Sequence, residues 1–303
     1  MRAFITGSSG FVGKWLGEHL LSCGDETTSL DDSIDIRDQD KLREALADQA
    51  PEVIFHLAAL THVGRSFEDP ITYLEVNALG TYKLLEAART LTKPPRVLLI
   101  SSAEVYGVTG QNKNGEPLEE KDPLLPATPY AMSKVAAEYA GLQEMHAHGL
   151  EVVIARPFNH IGPGQGEAFV VSALAKRIAM AEAAGTDVIP IGNLSAKRDF
   201  TDVRDVVAAY RLLALGGKPG QCYNVCSGVP TAIAEIAERL IGLSGHKIEL
   251  RTDENLLRPV DLPILYGSSV KLREELGWEP SVPGDRTLAD VLQYWRQQIG
   301  QSA

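Results

Sequence analysis

Three side chains in this sequence have the types and spacing to move a proton together: Ser102, Tyr130 and Lys134. Tyr130 and Lys134 stand four residues apart in Pro129-Tyr130-Ala131-Met132-Ser133-Lys134, so on a helix they share one face. A free phenol has a pKa of about 10, too high to exchange protons readily at neutral pH. An ammonium one helical turn away stabilises the phenolate and is expected to lower that value. Ser102 can then hold a carbonyl oxygen while Tyr130 donates to it. Positioned acid catalysis of this kind contributes about 10²–10⁴-fold. Tyrosine and lysine at this spacing also occur on ordinary helices, so the weight rests on what surrounds them.

The surroundings are those of an α/β nucleotide site. Arg96 to Ile100 reads as a buried strand that ends in Ser101-Ser102-Ala103-Glu104, and the carboxyl ends of parallel strands are where such sheets keep their polar groups. At the other end of the pattern, Met1 to Ile5 reads as a strand and Lys14 to Leu21 as a helix, joined by Thr6-Gly7-Ser8-Ser9-Gly10-Phe11-Val12-Gly13. Strand, G-x-x-G-x-x-G turn and helix form the context in which glycines bind a dinucleotide. Gly7 permits the tight turn, Gly10 a close approach of backbone to diphosphate, and Gly13 close packing of the helix. The free N–H groups of the helix start favour phosphate. Ser9, Phe11 and Val12 complete the expected cofactor-facing turn. After the next strand, Glu26 to Leu30, the acidic Asp31 is placed to accept hydrogen bonds from an adenosine ribose, although Asp31-Asp32 also suits a solvated turn. With a nicotinamide in reach of Tyr130, the chemistry becomes hydride delivery to a carbonyl with Tyr130 as acid.

Further elements follow in order. Asp38 is placed to cap a helix over Gln39 to Gln49. Pro51 to Ala59 predicts a third strand whose small-residue exit, Leu57-Ala58-Ala59, lets backbone close over a cofactor; His56 within it reads as a satisfied strand-end histidine. A long helix is expected over Ile71 to Thr90, with Asn77 either exposed or bonded to main chain near the site, and it joins the cofactor-site candidates. A polar loop over Thr109 to Pro129 leads to a helix ending at His148. Glu151 to Ala155 predicts the fifth strand and Arg156 to Gln165 a loop leaving the sheet. Helices are expected at Phe169–Ala184, Arg204–Leu215, Ala232–Leu243, Val270–Leu276 and Leu288–Ile299, with strands at 187–191, 221–225 and 247–251.

The predicted fold class is therefore α/β, a doubly wound parallel sheet (Rossmann fold) with a smaller C-terminal substrate-binding lobe. The dinucleotide-binding domain is expected over 1–157, with a return at about 197–226, and the lobe over 158–196 and 227–303. At 303 residues and a formal charge of -11, with an isoelectric point near 5.2, the composition argues against nucleic acid or an anionic membrane as partner. A phosphate-bearing ligand must then find a local positive site. No apolar run reaches the ~20 residues of a membrane span, and the N-terminus enters a strand directly, so a cytoplasmic location is expected. Cys222 and Cys226 on one strand would stand about 13 Å apart, too far for a disulfide. No metal cluster is predicted.

With these residues in hand, the chain resembles the extended short-chain dehydrogenase/reductases that act on nucleotide sugars, over nearly its whole length. Within them, Arg156-Pro157-Phe158-Asn159-His160-Ile161-Gly162-Pro163-Gly164-Gln165, Lys197-Arg198-Asp199-Phe200-Thr201-Asp202-Val203 and Arg258-Pro259-Val260-Asp261 are similar to the GDP-4-keto-6-deoxy-D-mannose reductase family. That resemblance implies reduction of a C4 ketone by NADPH or NADH to give GDP-D-rhamnose. It implies Ser102, Tyr130 and Lys134 as the catalytic set, Asn159, Arg198, Arg258 and Asp261 as nucleotide-sugar contacts, and a homodimer through helices 71–90 and 130–148; His160, beside Asn159, reads as structural. The neighbouring GDP-mannose 4,6-dehydratase family is the alternative, because Glu104 stands where its catalytic glutamate stands. Against it, Ile161-Gly162-Pro163-Gly164-Gln165 replaces the dehydratase continuation after Asn-His, and the arginine-rich stretch after the second strand is absent. A nucleotide-sugar 4-epimerase is a third reading. A cofactor-sensing binding protein is a fourth, but it would be expected to lose Tyr130 or Lys134.

Overall fold

The computed structural model describes residues 1–113, 115–253, 256 and 262–302. The elements run β1 (Arg2–Thr6), α1 (Phe11–Ser22), β2 (Glu26–Ser29), α2 (Gln39–Gln49), β3 (Val53–His56), α3 (Pro70–Leu74), a π-helical turn (Glu75–Leu79), α4 (Gly80–Arg89), β4 (Arg96–Ile100) and α5 (Thr109–Asn112). Next come α6 (Pro129–His148), β5 (Val152–Pro157), β6 (Asn159–Ile161), α7 (Val170–Ala184), β7 (Val188–Ile191), β8 (Lys197–Asp202), α8 (Val203–Gly216) and β9 (Cys222–Val225). The chain closes with β10 (Pro230–Ala232), α9 (Ile233–Ser244), β11 (Glu249–Thr252), β12 (Ile264–Leu265), α10 (Val270–Leu276) and α11 (Gly284–Ser302).

A six-stranded sheet of order β2-β1-β3-β4-β5-β9 forms the larger layer, and every pair in it is parallel. Its central strands are apolar at successive positions because both faces are covered. Ile5, Phe55, Leu98 and Val153 pack with α1 and α8 on one face. Phe4, Ile54, Leu99 and Ile154 pack with residues of α2 and α4 on the other. The strand order reverses between β1 and β3, and that switch point opens a crevice at the carboxyl edge.

The second layer is where sequence expectation and structure part. The stretch 156–165, expected as loop, contains β6, and 197–202 forms β8; β6, β10 and β12 all pair with β8 in a separate mixed sheet. The return of the chain is thus divided: β8 stays with the second sheet, while α8 and β9 rejoin the first. These strands are two to six residues long and pair across gaps of up to 67 residues, so no local periodicity announces them. A further pair, β7 and β11, flanks a core built from α7, α9 and α11.

The helix expected over 71–90 is interrupted. Asn77 lies inside the π-helical turn, almost fully buried, and its amide is spent on the Leu60 main chain and the Ser133 hydroxyl. Its Oδ1 accepts from the Leu60 N–H (2.8 Å), and its Nδ2 donates to the Leu60 carbonyl (2.9 Å) and to Ser133 Oγ (2.9 Å). A buried polar side chain must find such partners, and the extra residue of a π turn aims it there. Ile71, at its start, is 62% exposed. Among the described residues no helix is long and apolar enough to cross a membrane.

Candidate active site

At the carboxyl edge of the large sheet lies a cavity of about 480 Å³. Its four walls are positioned by different parts of the fold.

The first wall is the glycine turn. Gly7 has φ +73°, and a Cβ there would stand 2.9 Å from the Ala58 nitrogen. A Cβ on Gly13 would stand 2.2 Å from the Gly7 carbonyl oxygen, so Gly13 is needed for contact with the turn itself, more than with the strand. The Gly10 N–H closes the turn on Gly7 O at 3.2 Å. Gly10 then serves as N-cap of α1 without a side chain to satisfy the first amides, and the first turn of α1 carries no acidic residue. Free N–H groups, partial positive charge and a side-chain-free cradle suit a dinucleotide diphosphate. Ser9, Phe11 and Val12 line the same wall.

Leu57, Ala58 and Ala59, at the exit of β3, form the second wall. His56 just before them is buried and bridges Thr6 Oγ1 and Thr81 Oγ1, each at 2.8 Å. Burial holds its imidazole down to about 3, with the Lys134 charge adding to the effect; it is a neutral structural group, as the sequence suggests. Asn77 lies behind this wall and holds its continuation at Leu60. It does not line the cavity.

The third wall brings together Ser102, Glu104, Tyr130 and Lys134. Thr128 caps α6 by accepting from the Ala131 N–H (3.1 Å) and Pro129 occupies its first turn, so α6 begins where Tyr130 must face the cavity. Tyr130 is 6% exposed and lines the cavity beside Ser102. The Lys134 ammonium donates to the Ile100 carbonyl at the end of β4 (2.8 Å). Here the expected depression of the phenol is corrected. Burial raises the Tyr130 pKa, outweighing the lowering effect of Ser102, and the Glu104 carboxylate pushes the same way as burial. In this state the ammonium donates to a main-chain oxygen, and burial sets the sign of the phenol's shift. Burial in turn pulls Lys134 down to about 8, opposed by Glu138 one turn further along α6.

The fourth wall belongs to the second layer. Asn159 and His160 lead β6 and pair with Phe200 and Thr201 of β8. Asn159 and His160 both line the cavity, and the His160 ring stacks on Phe11 with centroids 6.2 Å apart and planes 12° from parallel. The following loop is latched to α1 by Trp15 Nε1 donating to the Pro163 carbonyl (3.0 Å).

Other sequence candidates stand apart. Asp31 is exposed after β2, and its carboxylate accepts from the Ser33 N–H at 2.8 Å; it does not line the cavity. Arg198 is nearly buried on β8 and donates to the Lys197 and Leu262 carbonyls at 2.8 and 2.7 Å, so it braces the start of β12 and is not brought to the cavity. Arg258 and Asp261 lie outside the described residues. Among those described, no group of His, Cys, Asp and Glu is placed to hold a metal ion, and Cys23, Cys222 and Cys226 are free thiols. Sequence reasoning missed His62, Phe169 and Tyr210, which also line the cavity. Tyr210 reads as one more apolar position in the stripe of α8, and no local signal separates it from core.

Comparison with known proteins agrees with this geometry. The sequence matches the family model described as GDP-mannose 4,6 dehydratase over residues 32–291. A GDP-6-deoxy-D-mannose reductase from Pseudomonas aeruginosa is 36% identical over 301 residues, covering 98% of this chain and 98% of that protein. A structure of RMD from Pseudomonas aeruginosa complexed with NADPH superposes with a TM-score of 0.90 at 36% identity, covering 98% of this chain and 99% of that one. The Thermus thermophilus UDP-glucose 4-epimerase, in complex with NAD, follows at a TM-score of 0.87 and 29% identity, covering 98% and 99%. A Rossmann-like sheet, a glycine cradle facing a serine–tyrosine–lysine wall, and likeness along the whole chain place this protein in the extended short-chain dehydrogenase/reductase family of NAD(P)-dependent nucleotide-sugar enzymes.

Proposed function

We propose that the protein reduces the C4 ketone of GDP-4-keto-6-deoxy-D-mannose with NADPH or NADH, giving GDP-D-rhamnose. The observation that carries this reading is the single cavity that brings the buried Tyr130 phenol, Ser102 and Lys134 together with the glycine cradle. When bound, the dinucleotide supplies the hydride from its nicotinamide. Ser102 holds the ketone oxygen, and Tyr130, kept protonated by burial, donates to that oxygen as negative charge develops on it. Lys134 supplies fixed positive charge beside the phenolate left behind. Asn159 faces the sugar from β6. The GDP-6-deoxy-D-mannose reductase relative, similar along its whole length, supports this substrate class over others.

The reading includes a homodimer through the face of α3, α4 and α6. Ile71, Leu79, Met132 and Tyr139 are 62%, 58%, 44% and 62% exposed there, an apolar surface of the kind that marks an interface.

The experiment that tests the function is cofactor stoichiometry. One NAD(P)H should be oxidised per GDP-4-keto-6-deoxymannose reduced, GDP-mannose should be left untouched, and Glu104→Gln should retain reduction because no proton moves at C5. A 4-epimerase or a dehydratase returns its hydride, so neither consumes reductant. Water loss from GDP-mannose without added reductant, abolished in Glu104→Gln, would replace this reading with the dehydratase.

A pH dependence follows from Lys134. A lysine is charged below its pKa, so the stabilising ammonium is present at neutral pH and lost as pH rises through about 8. The reductive kcat/KM should therefore be level near neutrality and fall on the alkaline side with an apparent pKa near 8. A profile level to pH ~10, the range of an ordinary lysine, would remove Lys134 from the proton chemistry.

A further inference from the structure

Two side chains on the fourth wall have one polar end pinned and the other end open. His160 Nδ1 lies 3.1 Å from the Phe158 carbonyl oxygen. A carbonyl only accepts, so Nδ1 carries the ring's proton and Nε2 keeps a lone pair. Gln165 Nε2 donates to the His160 carbonyl at 2.9 Å, which leaves its Oε1, a second acceptor, at the other end of the amide. Neither His160 Nε2 nor Gln165 Oε1 has a partner among the described residues, and neither atom is sealed from solvent. Both residues line the cavity; His160 is half-buried and Gln165 only 5% exposed. Burial also lowers the His160 pKa, against the Phe158 hydrogen bond, so the ring stays neutral.

The path of the chain gives the place of this pair. The segment Phe158 to Gln165 leaves the carboxyl end of β5, beside the Ser101-Ser102 exit of β4; there the Ser101 N–H donates to the Ala155 carbonyl at 2.8 Å. It returns to α1, where the His160 ring stacks on Phe11 and Trp15 holds Pro163. The segment therefore runs from the catalytic wall to the glycine cradle. A dinucleotide with its diphosphate on the cradle and its nicotinamide facing Tyr130 lays its nicotinamide riboside along the same interval. Two neutral acceptors there call for a donor. Ribose hydroxyls both donate and accept, so donors and acceptors suit them equally. The carboxamide amino group carries two N–H bonds and only donates. A pair of acceptors matches that group, and repels an oxygen in its place.

We propose that His160 Nε2 and Gln165 Oε1 accept the two hydrogens of the nicotinamide carboxamide, so that the pair selects the amide form of the cofactor and sets the rotation of its carboxamide. This rests on the reading that a nicotinamide dinucleotide occupies the cavity, and is independent of which sugar is reduced. The contact serves binding and orientation; the proton still comes from Tyr130.

The test compares two dinucleotides that differ at one group. In the 3-acetylpyridine analogue a methyl replaces the carboxamide NH2, while ribose, diphosphate and ring charge are kept. Calorimetry gives Kd for NAD⁺ or NADP⁺, whichever binds wild type, and for its acetylpyridine analogue, with wild type, His160→Phe and Gln165→Met. Phenylalanine keeps a ring on Phe11 and removes the acceptor; methionine keeps the length of Gln165. Wild type should prefer the carboxamide by about 5–30-fold, the size of one to two neutral hydrogen bonds, and the preference should fall several-fold in each variant. Reading a ratio cancels any general loss of affinity that follows from losing a brace in the loop. Should His160→Phe not melt cooperatively, Gln165→Met and the wild-type ratio carry the test. A wild-type ratio near one would overturn the proposal, as would an unchanged ratio in a variant that melts cooperatively. An equal loss of both dinucleotides at constant ratio would likewise overturn it, and would mean that the acceptors meet the ribose or water. Failure of wild type to bind either dinucleotide would instead overturn the cofactor reading on which the proposal stands.

Discussion

Tyr130→Phe is expected to cut turnover by about 10²–10⁴-fold while leaving dinucleotide affinity close to that of wild type. The substitution is narrow because of how the ring is held. Tyr130 is buried at the start of α6 and meets Tyr73 edge-on, with centroids 6.4 Å apart and planes 88° from parallel, and phenylalanine preserves that contact. Thr128 still caps the helix, and Lys134 still donates to Ile100, so the ammonium does not depend on the phenol for its position. What disappears is one acidic hydrogen. Because burial holds the phenol protonated, the wild-type residue is a ready donor throughout the neutral range. The measurement is steady-state reduction beside a separate Kd for the cofactor. Turnover within about tenfold of wild type would mean that the proton comes from elsewhere, since a positioned acid is worth more than that.

The catalytic wall is legible in the sequence because its logic is local. Four-residue spacing on a helix, a proline at the helix start, and polar residues at a strand end are each written within a few positions. Helix α2 and its Asp38 cap, strand β4 and the span of α6 are legible for the same reason. The second sheet is not. Strand β8 is a run of polar and aromatic residues whose Asp199 carboxylate is tied to Ser227 and Gly228, contacts that exist only once distant segments meet. The same holds for Arg198. Its charge suggests an anion ligand, while its Nη1 donates to main-chain oxygens that only the folded chain brings near. The effect of Lys134 on Tyr130 escapes the sequence for a different reason. Spacing gives proximity, but the sign of a pKa shift depends on burial, and burial is a property of the assembled cavity.

Glu138→Ala is expected to cost about 3–5 kcal/mol of stability, the penalty for breaking a buried ion pair from one side. That is a large share of the roughly 5–15 kcal/mol that holds a typical domain. Glu138 is the third member of the face that carries Tyr130 and Lys134, one further turn along α6. Both of its oxygens are engaged by Arg156, with Nε to Oε1 at 2.9 Å and Nη2 to Oε2 at 2.7 Å, and Ser101 Oγ also donates to Oε1. Arg156 in turn donates to the Tyr106 hydroxyl (3.0 Å) and to the Glu120 carbonyl (3.1 Å). Burial works against the Arg156 charge, and the Glu138 carboxylate outweighs it; alanine would leave that guanidinium buried without a counter-ion. The pair also has a bearing on catalysis, because Ser101 precedes Ser102 and Glu138 supports the Lys134 charge against burial. Glu138→Leu combined with Arg156→Met separates the two roles. Replacing both charges with apolar side chains of similar size should return most of the lost stability. It should not restore turnover, since Ser101 stays unanchored, and the alkaline limb of the pH profile should move below the wild-type value of about 8. Urea midpoints and kcat/KM profiles of the single and double variants decide this. If turnover and the alkaline limb recover together with stability, Glu138 is a packing residue alone.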